Sequence, residues 1–200
     1  MVAFAQKRYT KEEYLDFEMK SKIRHEFVNG KIVPMPYTTK SHGRIAQNLS
    51  RLIGNCLHGT HLEVFQENRM LHVPSCENFY YPDLIIVPIK VETFTHKQKM
   101  EADLYPVALV EVASASTEDY DKEEKWRCYQ QIKSLQQYIL VSQASTFVQV
   151  YTRQKENVTK WVYTSYQTPD DKVPVMNCEI PVQGIYDRVI FLKPEHKSNI

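Results

Sequence analysis

Tyr80-Tyr81-Pro82-Asp83-Leu84-Ile85-Ile86-Val87-Pro88 and Val107-Ala108-Leu109-Val110-Glu111-Val112-Ala113 are the two stretches that decide how this chain is read. Both carry continuous apolar runs rather than alternating ones, the pattern of strands covered on both faces. Each also places one carboxylate in apolar company. Asp83 follows Pro82 at the head of the first run, and Glu111 stands near the end of the second. An ionised carboxylate in such surroundings is costly unless it is paired or binds a metal. Taken singly, each acid reads better as an exposed strand end or as the partner of a structural lysine. Taken together, they point to one divalent cation shared between neighbouring strands. A hard cation such as Mg²⁺ takes oxygen ligands, commonly one or two carboxylates with water and substrate phosphate.

Downstream of Glu111, Ser114, Ser116 and Thr117 form a polar turn that caps a helix over residues 119–132, with Trp126, Tyr129 and Ile132 on one side. Residues 137–141 are a third apolar strand. Strand, helix and strand in this order make a crossover, normally right-handed and parallel. Residues 147–151 and 158–166 read as an antiparallel pair, and residues 185–192 as a closing strand. Upstream, Thr10 and Glu13 have the spacing of a capping box for a short helix. Asn29-Gly30 between apolar runs signals a hairpin, because a type I′ turn needs positive φ at both positions. Ser41 caps a longer helix over residues 42–58, with Ile45, Leu49, Leu52, Ile53 and Cys56 on one face. Residues 63–66 and 68–73 alternate as strands, and a lysine-rich loop carries Lys90, Lys97 and Lys99. No repeat or boundary divides the chain. The expected architecture is one mixed α/β domain over residues 1–192: a central mixed β-sheet flanked by helices, with an N-terminal hairpin and antiparallel C-terminal strands. Residues 193–200 form a polar tail.

Composition sets limits on function. With 42% hydrophobic and 24% charged residues, the chain can build a core without disulfides. Its 25 basic and 24 acidic residues balance to +1, unlike an architectural nucleic-acid binder that works by neutralising phosphates. Cys56, Cys76, Cys128 and Cys178 make no C-x-x-C pair and read as reduced, mostly buried thiols of a cytoplasmic protein. No secretory signal or membrane-length apolar run is visible, so no membrane partner is expected. No glycine-rich phosphate loop and no G-x-S-x-G elbow occurs. His58, His61 and His72 lack the further ligands of a zinc site. Trp126 and Trp161, the only two tryptophans, do not read as the stacking platform of a glycosidase.

Pro82-Asp83 followed by Glu111-Val112-Ala113 resembles the P-D…(D/E)-x-K signature of the restriction-endonuclease-like superfamily. Further segments are similar to one large bacterial family within it. They are His25-Glu26-Phe27-Val28-Asn29-Gly30-Lys31-Ile32-Val33, Ser41-His42, Tyr81-Pro82-Asp83-Leu84, Glu111 to Thr117, Asp121-Lys122-Glu123-Glu124-Lys125 with Tyr129, and Gln137-Tyr138-Ile139-Leu140-Val141. The resemblance spans roughly residues 10–192 in the expected order. It implies a restriction-endonuclease-like fold, and metal-assisted hydrolysis of DNA phosphodiester bonds. It also implies Mg²⁺, with Mn²⁺ as a substitute, held by Asp83, Glu111 and the main-chain carbonyl of Val112.

One departure matters. The signature lysine should stand two residues after Glu111, where this chain has Ala113. Lys125 is the natural replacement. Asp121, Lys125 and Tyr129 recur every four residues and share a helical face, so Lys125 either enters the site or merely pairs with Asp121 on the surface. Glu26 is the candidate assisting acid, with Glu63 and Glu67 as competitors. His42 matches a family histidine but reads equally as a helix-terminal residue. The expectation is a Mg²⁺-dependent endonuclease, possible as a homodimer since two strands need two cuts. The alternative is a catalytically inactive nucleic-acid-binding or interaction module that retains the fold.

Overall fold

The computed structural model describes residues 7–114 and 121–191. Expectations for Ser116, Thr117, the start of the helix near residue 119, the Asp121 side chain and the tail 193–200 lie outside the described residues.

Two six-stranded mixed sheets organise the chain. The second contains the stretches quoted first: β6 (Leu84–Pro88) and β9 (Ala108–Ala113) are antiparallel neighbours, with Leu84 opposite Val110. Across β9 lies β10 (Gln137–Ser142), parallel in register from Gln137 opposite Ala108 to Ser142 opposite Ala113. The expected parallel crossover is therefore present. β3 (Leu62–Gln66) closes one edge, while β11 (Val148–Arg153) and β12 (Trp161–Tyr166) form the expected antiparallel pair at the other. Leu84, Ile85, Ile86 and Val87 are all buried, as are all six residues of β9, so continuous apolarity did mark strands covered on both faces.

Above one face lies α2 (Lys40–Leu57), whose Ile45, Ala46, Leu49, Ile53 and Leu57 pack on Ile86, Val110, Val112, Ile139 and Val150. The N-cap of α2 is Thr39 rather than Ser41. The Thr39 hydroxyl accepts from the His42 amide (3.1 Å), and Ser41 donates instead to the Ile190 carbonyl (2.8 Å). Both residues are competent caps, so only the route of the incoming chain chooses between them. Buried Asn48 donates to the carbonyls of Ile185 (3.0 Å) and Asp187 (2.9 Å), pinning the C-terminal segment to α2.

The first sheet has the order β2-β1-β5-β4-β8-β7. The hairpin of β1 (His25–Val28) and β2 (Lys31–Pro34) turns at Asn29 (φ 51°) and Gly30 (φ 78°), as expected. Thr10 and Glu13 form the reciprocal capping box of α1 (Lys11–Glu18), which lays Tyr14 and Leu15 on Phe27 and Phe79. β4 (Met70–Val73) and β5 (Asn78–Tyr80) follow. The lysine-rich loop is corrected: its residues form the hairpin of β7 (Thr93–His96) and β8 (Met100–Asp103), with Lys97 and Gln98 at the left-handed turn. The chain ends β5 at Tyr80 and enters the other sheet at Leu84, so Tyr81-Pro82-Asp83 is the crossing point.

The C-terminal expectation is corrected too. Residues 185–191 are not a strand; the chain instead makes the hairpin β13 (Lys172–Val175) and β14 (Cys178–Pro181), then a helical turn at Val182–Ile185. The alternating burial of Val173, Val175, Cys178 and Ile180 around Met176 (φ 54°) was a readable signal for that hairpin. The helix expected over residues 119–132 is shorter: a π-helical turn at Asp121–Lys125 runs into α3 (Trp126–Tyr129). Trp126 stacks on Tyr138 and meets Trp161 edge-on at 4.8 Å. The two tryptophans therefore do come together, with their faces taken up by packing α3 on the sheet. No helix among the described residues is long and apolar enough to cross a membrane.

The cysteine expectation is overturned. Cys56 is bonded to Cys178, fastening α2 to β14, and Cys76 to Cys128, fastening the β4–β5 turn to α3. Partners 122 and 52 residues apart carry no local spacing signal, because only the folded sheets make them neighbours. Protein denatured without reductant is expected to expose no thiol to a thiol reagent. Reduction is expected to cost about 5 kcal/mol for the longer loop alone, seen as a fall in Tm with dithiothreitol; full thiol reactivity before reduction would contradict the pairing.

His72 is buried in β4, stacked on Phe79 at 4.2 Å and meeting Phe94 at 5.1 Å. Burial, helped by the Lys11 charge, lowers its pKa from 6.5 to about 4. Between those values the unfolded chain holds a proton that the folded one does not, so stability falls as pH drops from 6.5 towards 4. The loss amounts to about 3 kcal/mol at most. Urea melts of wild type and His72→Phe across this range are expected to show a smaller decline in the variant.

Candidate metal centre

The crossing between sheets builds the site. Asp83 lies one residue outside the register in which Leu84 opposes Val110, and so stands beside Glu111. Its backbone carbonyl accepts from the Glu67 amide (2.9 Å), fixing the entry to β6. Its side chain is held from two elements. Oδ2 accepts the Val112 amide at 2.7 Å, and Oδ1 lies 2.9 Å from Nε2 of His42, in the first turn of α2. Asp83 and His42 side chains are both 12% exposed, so the carboxylate sits at the mouth of the site rather than in the core.

Glu111 is deeper. On β9, Val112 points towards α2 and the neighbouring Glu111 towards α3, by strand alternation. There Oε1 of Glu111 accepts from the Lys125 ammonium (3.1 Å) and from the Tyr129 hydroxyl (2.9 Å). The same ammonium lies 3.1 Å from Oε1 of Glu26 on β1. Glu111, Lys125 and Glu26 are all buried. β1 alternates so that Glu26 shares the face of Val28, which packs under α3, while Phe27 turns to Tyr14. A buried ammonium flanked by two carboxylates offsets part of the desolvation cost that each would meet alone. Burial, and then the neighbouring Glu111 charge, raise the Tyr129 pKa well above 10, so its phenol remains a donor.

Of the residues singled out from sequence, Lys125 is thus brought to Glu111 and Glu26 in the interior. Glu63 is half-buried on the edge strand β3, and Glu67 is exposed; neither has the place of Glu26. His42 stands on Asp83. His58 and His61 are exposed, while His72 sits among aromatic rings. Sequence reading did not anticipate the polar layer behind Glu26. Buried Glu18 receives the His25 amide (3.1 Å) and the Tyr81 hydroxyl (3.1 Å), and the Tyr81 amide faces Glu26. Glu18 is one of four acids in α1, and nothing local sets it apart.

The donor set fits a hard divalent cation. Among the described residues, no three His, Cys, Asp or Glu side chains cluster to hold a metal unaided. A cation here would draw on two carboxylates, main-chain oxygen and water, the habit of Mg²⁺. The main chain offers such an oxygen. The Ala113 carbonyl turns to β10, accepting from Gln143 (3.0 Å), so that of Val112, the preceding residue, leaves on the opposite side with the amide that holds Asp83.

Lys125→Met would leave two buried carboxylates without their cation. In metal-free buffer at pH 7, urea denaturation is expected to show a loss of about 3–5 kcal/mol. Adding Glu111→Gln to that variant is expected to cost less than the sum of the two single changes.

Comparison with known proteins agrees with this architecture. Two Synechocystis sp. proteins are similar over most of their length. Protein sll1609 is 32% identical over 164 residues, 82% of this chain and 90% of that protein. Protein slr1290 is 31% identical over 159 residues, 80% of each. The crystal structure of a "putative nuclease belonging to DUF820" from Anabaena variabilis superposes with a TM-score of 0.71, at 16% identity, covering 90% of this chain and 99% of that one. The fold is therefore that of this nuclease-like group. Residues 11–180 match the model of the Uma2 family, described as "Putative restriction endonuclease", and the chain belongs to that family.

Proposed function

We propose that the protein is an endonuclease that hydrolyses DNA phosphodiester bonds, with Mg²⁺ or Mn²⁺ held by Asp83, Glu111 and the Val112 carbonyl. The observation that carries this reading is the buried ammonium of Lys125 on Glu111, a charge where Ala113 supplies none. A bound divalent ion lowers the pKa of a coordinated water and stabilises charge developing on the phosphate.

The chain's own groups account for the rest. His42 and the Val112 amide fix the Asp83 carboxylate, and Glu26 holds Lys125 at the level of Glu111. The Lys125 ammonium, on a flexible stem, is in reach to orient the attacking water or to meet the phosphate oxygens. A lysine arriving from the following helix rather than from the strand reaches the same point from the opposite wall. Exposed lysines at 90 and 99 would contact the DNA backbone, a cytoplasmic setting would suit that substrate although the bonded cysteines no longer support it, and a homodimer would cut both strands. The absence of a lysine at position 113 favours one other reading, an inactive DNA-binding module.

Supercoiled plasmid incubated with Mg²⁺ or Mn²⁺ separates the two. Wild type is expected to nick and linearise it, with Asp83→Ala and Lys125→Ala slower by at least about 100-fold. Equal cleavage by wild type and Asp83→Ala would sink the site. Salt-dependent DNA binding by wild type without metal-dependent cleavage would establish the module instead.

A further inference from the structure

We infer that Tyr129 is a positioning residue that holds Glu111 in place as a metal ligand while Lys125 attends to the substrate. This rests on the metal reading above. Oε1 of Glu111 accepts from two donors, Tyr129 at 2.9 Å and Lys125 at 3.1 Å. Lys125 brings one positive charge to the two carboxylates of Glu111 and Glu26. A second donor on the same oxygen becomes necessary once the first has to let go. Lys125 is already shared with Glu26 at 3.1 Å, and a phosphate brought to the site competes for it more strongly than a carboxylate shared with another cation does. As the ammonium turns to that phosphate, the phenol stays.

The surroundings of Tyr129 suit a fixed post. Its ring is fully buried and clamped edge-on by Tyr80 (5.2 Å) and Tyr138 (5.3 Å), each at 79° to it. A side chain with a locked ring has no rotamer freedom left to lose, whereas lysine reaches through four flexible methylenes. The four-residue spacing from Lys125 directs both groups to one oxygen. A ligand carboxylate needs such an outer partner to fix its rotation, and losing one typically weakens metal binding by about 10–100-fold.

Mn²⁺ titration followed by electron paramagnetic resonance, at a temperature where every variant is folded, tests this without requiring turnover. Tyr129→Phe removes one oxygen and keeps the ring. It is expected to bind Mn²⁺ about tenfold more weakly than wild type, with a changed spectrum of the bound ion. Tyr14→Phe serves as the control. It deletes a different buried hydroxyl, one that donates to the His25 carbonyl, and is expected to bind as wild type does. Unchanged affinity in Tyr129→Phe would overturn the inference. Equal weakening in both variants would also overturn it, by tracing the effect to a looser core. Failure of wild type to bind Mn²⁺ at all would instead overturn the metal reading beneath it.

Discussion

The ammonium of Lys125 between Glu111 and Glu26 is the interaction on which the rest depends. Three charged groups in a buried setting are tolerable only as a set, because each alone would face several kcal/mol of desolvation. Their meeting requires three separate elements to converge: β9 of one sheet, β1 of the other, and the turn leading into α3. Errors in the placement of any one would leave a carboxylate stranded. The set thus ties the relative position of the two sheets to the chemistry of the site.

Around that set the fold is arranged so that each acid is held from outside. Asp83 sits where the chain crosses from the first sheet to the second, and Pro82 favours the extended backbone of such a crossing while contributing no amide that would need a partner. Asp83 then takes the Val112 amide, a ladder position that β6 begins too late to use. α2 adds His42 from its first turn, and the N-cap at Thr39 settles where that turn begins. Glu111 takes its partners from α3, which aromatic packing around Trp126 presses onto the sheet. The two disulfides fasten these same helices, α2 through Cys56 and α3 through Cys128. Both walls of the site are therefore cross-linked to the hairpins behind them.

Much of this was legible beforehand, for identifiable reasons. The two acids stood out because their apolar neighbours made them expensive, and a substitute lysine was sought because Ala113 has only a methyl group. The i,i+4 spacing then pointed to Lys125 and Tyr129 together. What misled were features without a local signature. The lysine-rich segment became a strand hairpin because its turn accepted non-glycine residues at positive φ, at Lys97 and Gln98. Where a strand was expected from residue 185, the chain makes a helical turn at Val182–Ile185, because Val182 and Ile185 bury against α2. Glu18 carries no mark in the sequence, and only tertiary packing encloses it with His25 and Tyr81.

The sequence by itself determined the local elements and the inventory of reactive groups. Period and apolarity decide which segments are strands covered on two faces, Asn29-Gly30 decides a turn, and the cost of burying charge marks Asp83 and Glu111. Only the tertiary structure decided which partners these groups found. Lys125 reached Glu111 and Glu26, His42 reached Asp83, and the cysteines paired across 122 and 52 residues. Periodicity acts along the chain within a few residues, whereas a partner is set by which strands and helices lie side by side. That adjacency arises only when both sheets and α2 bury their apolar faces together.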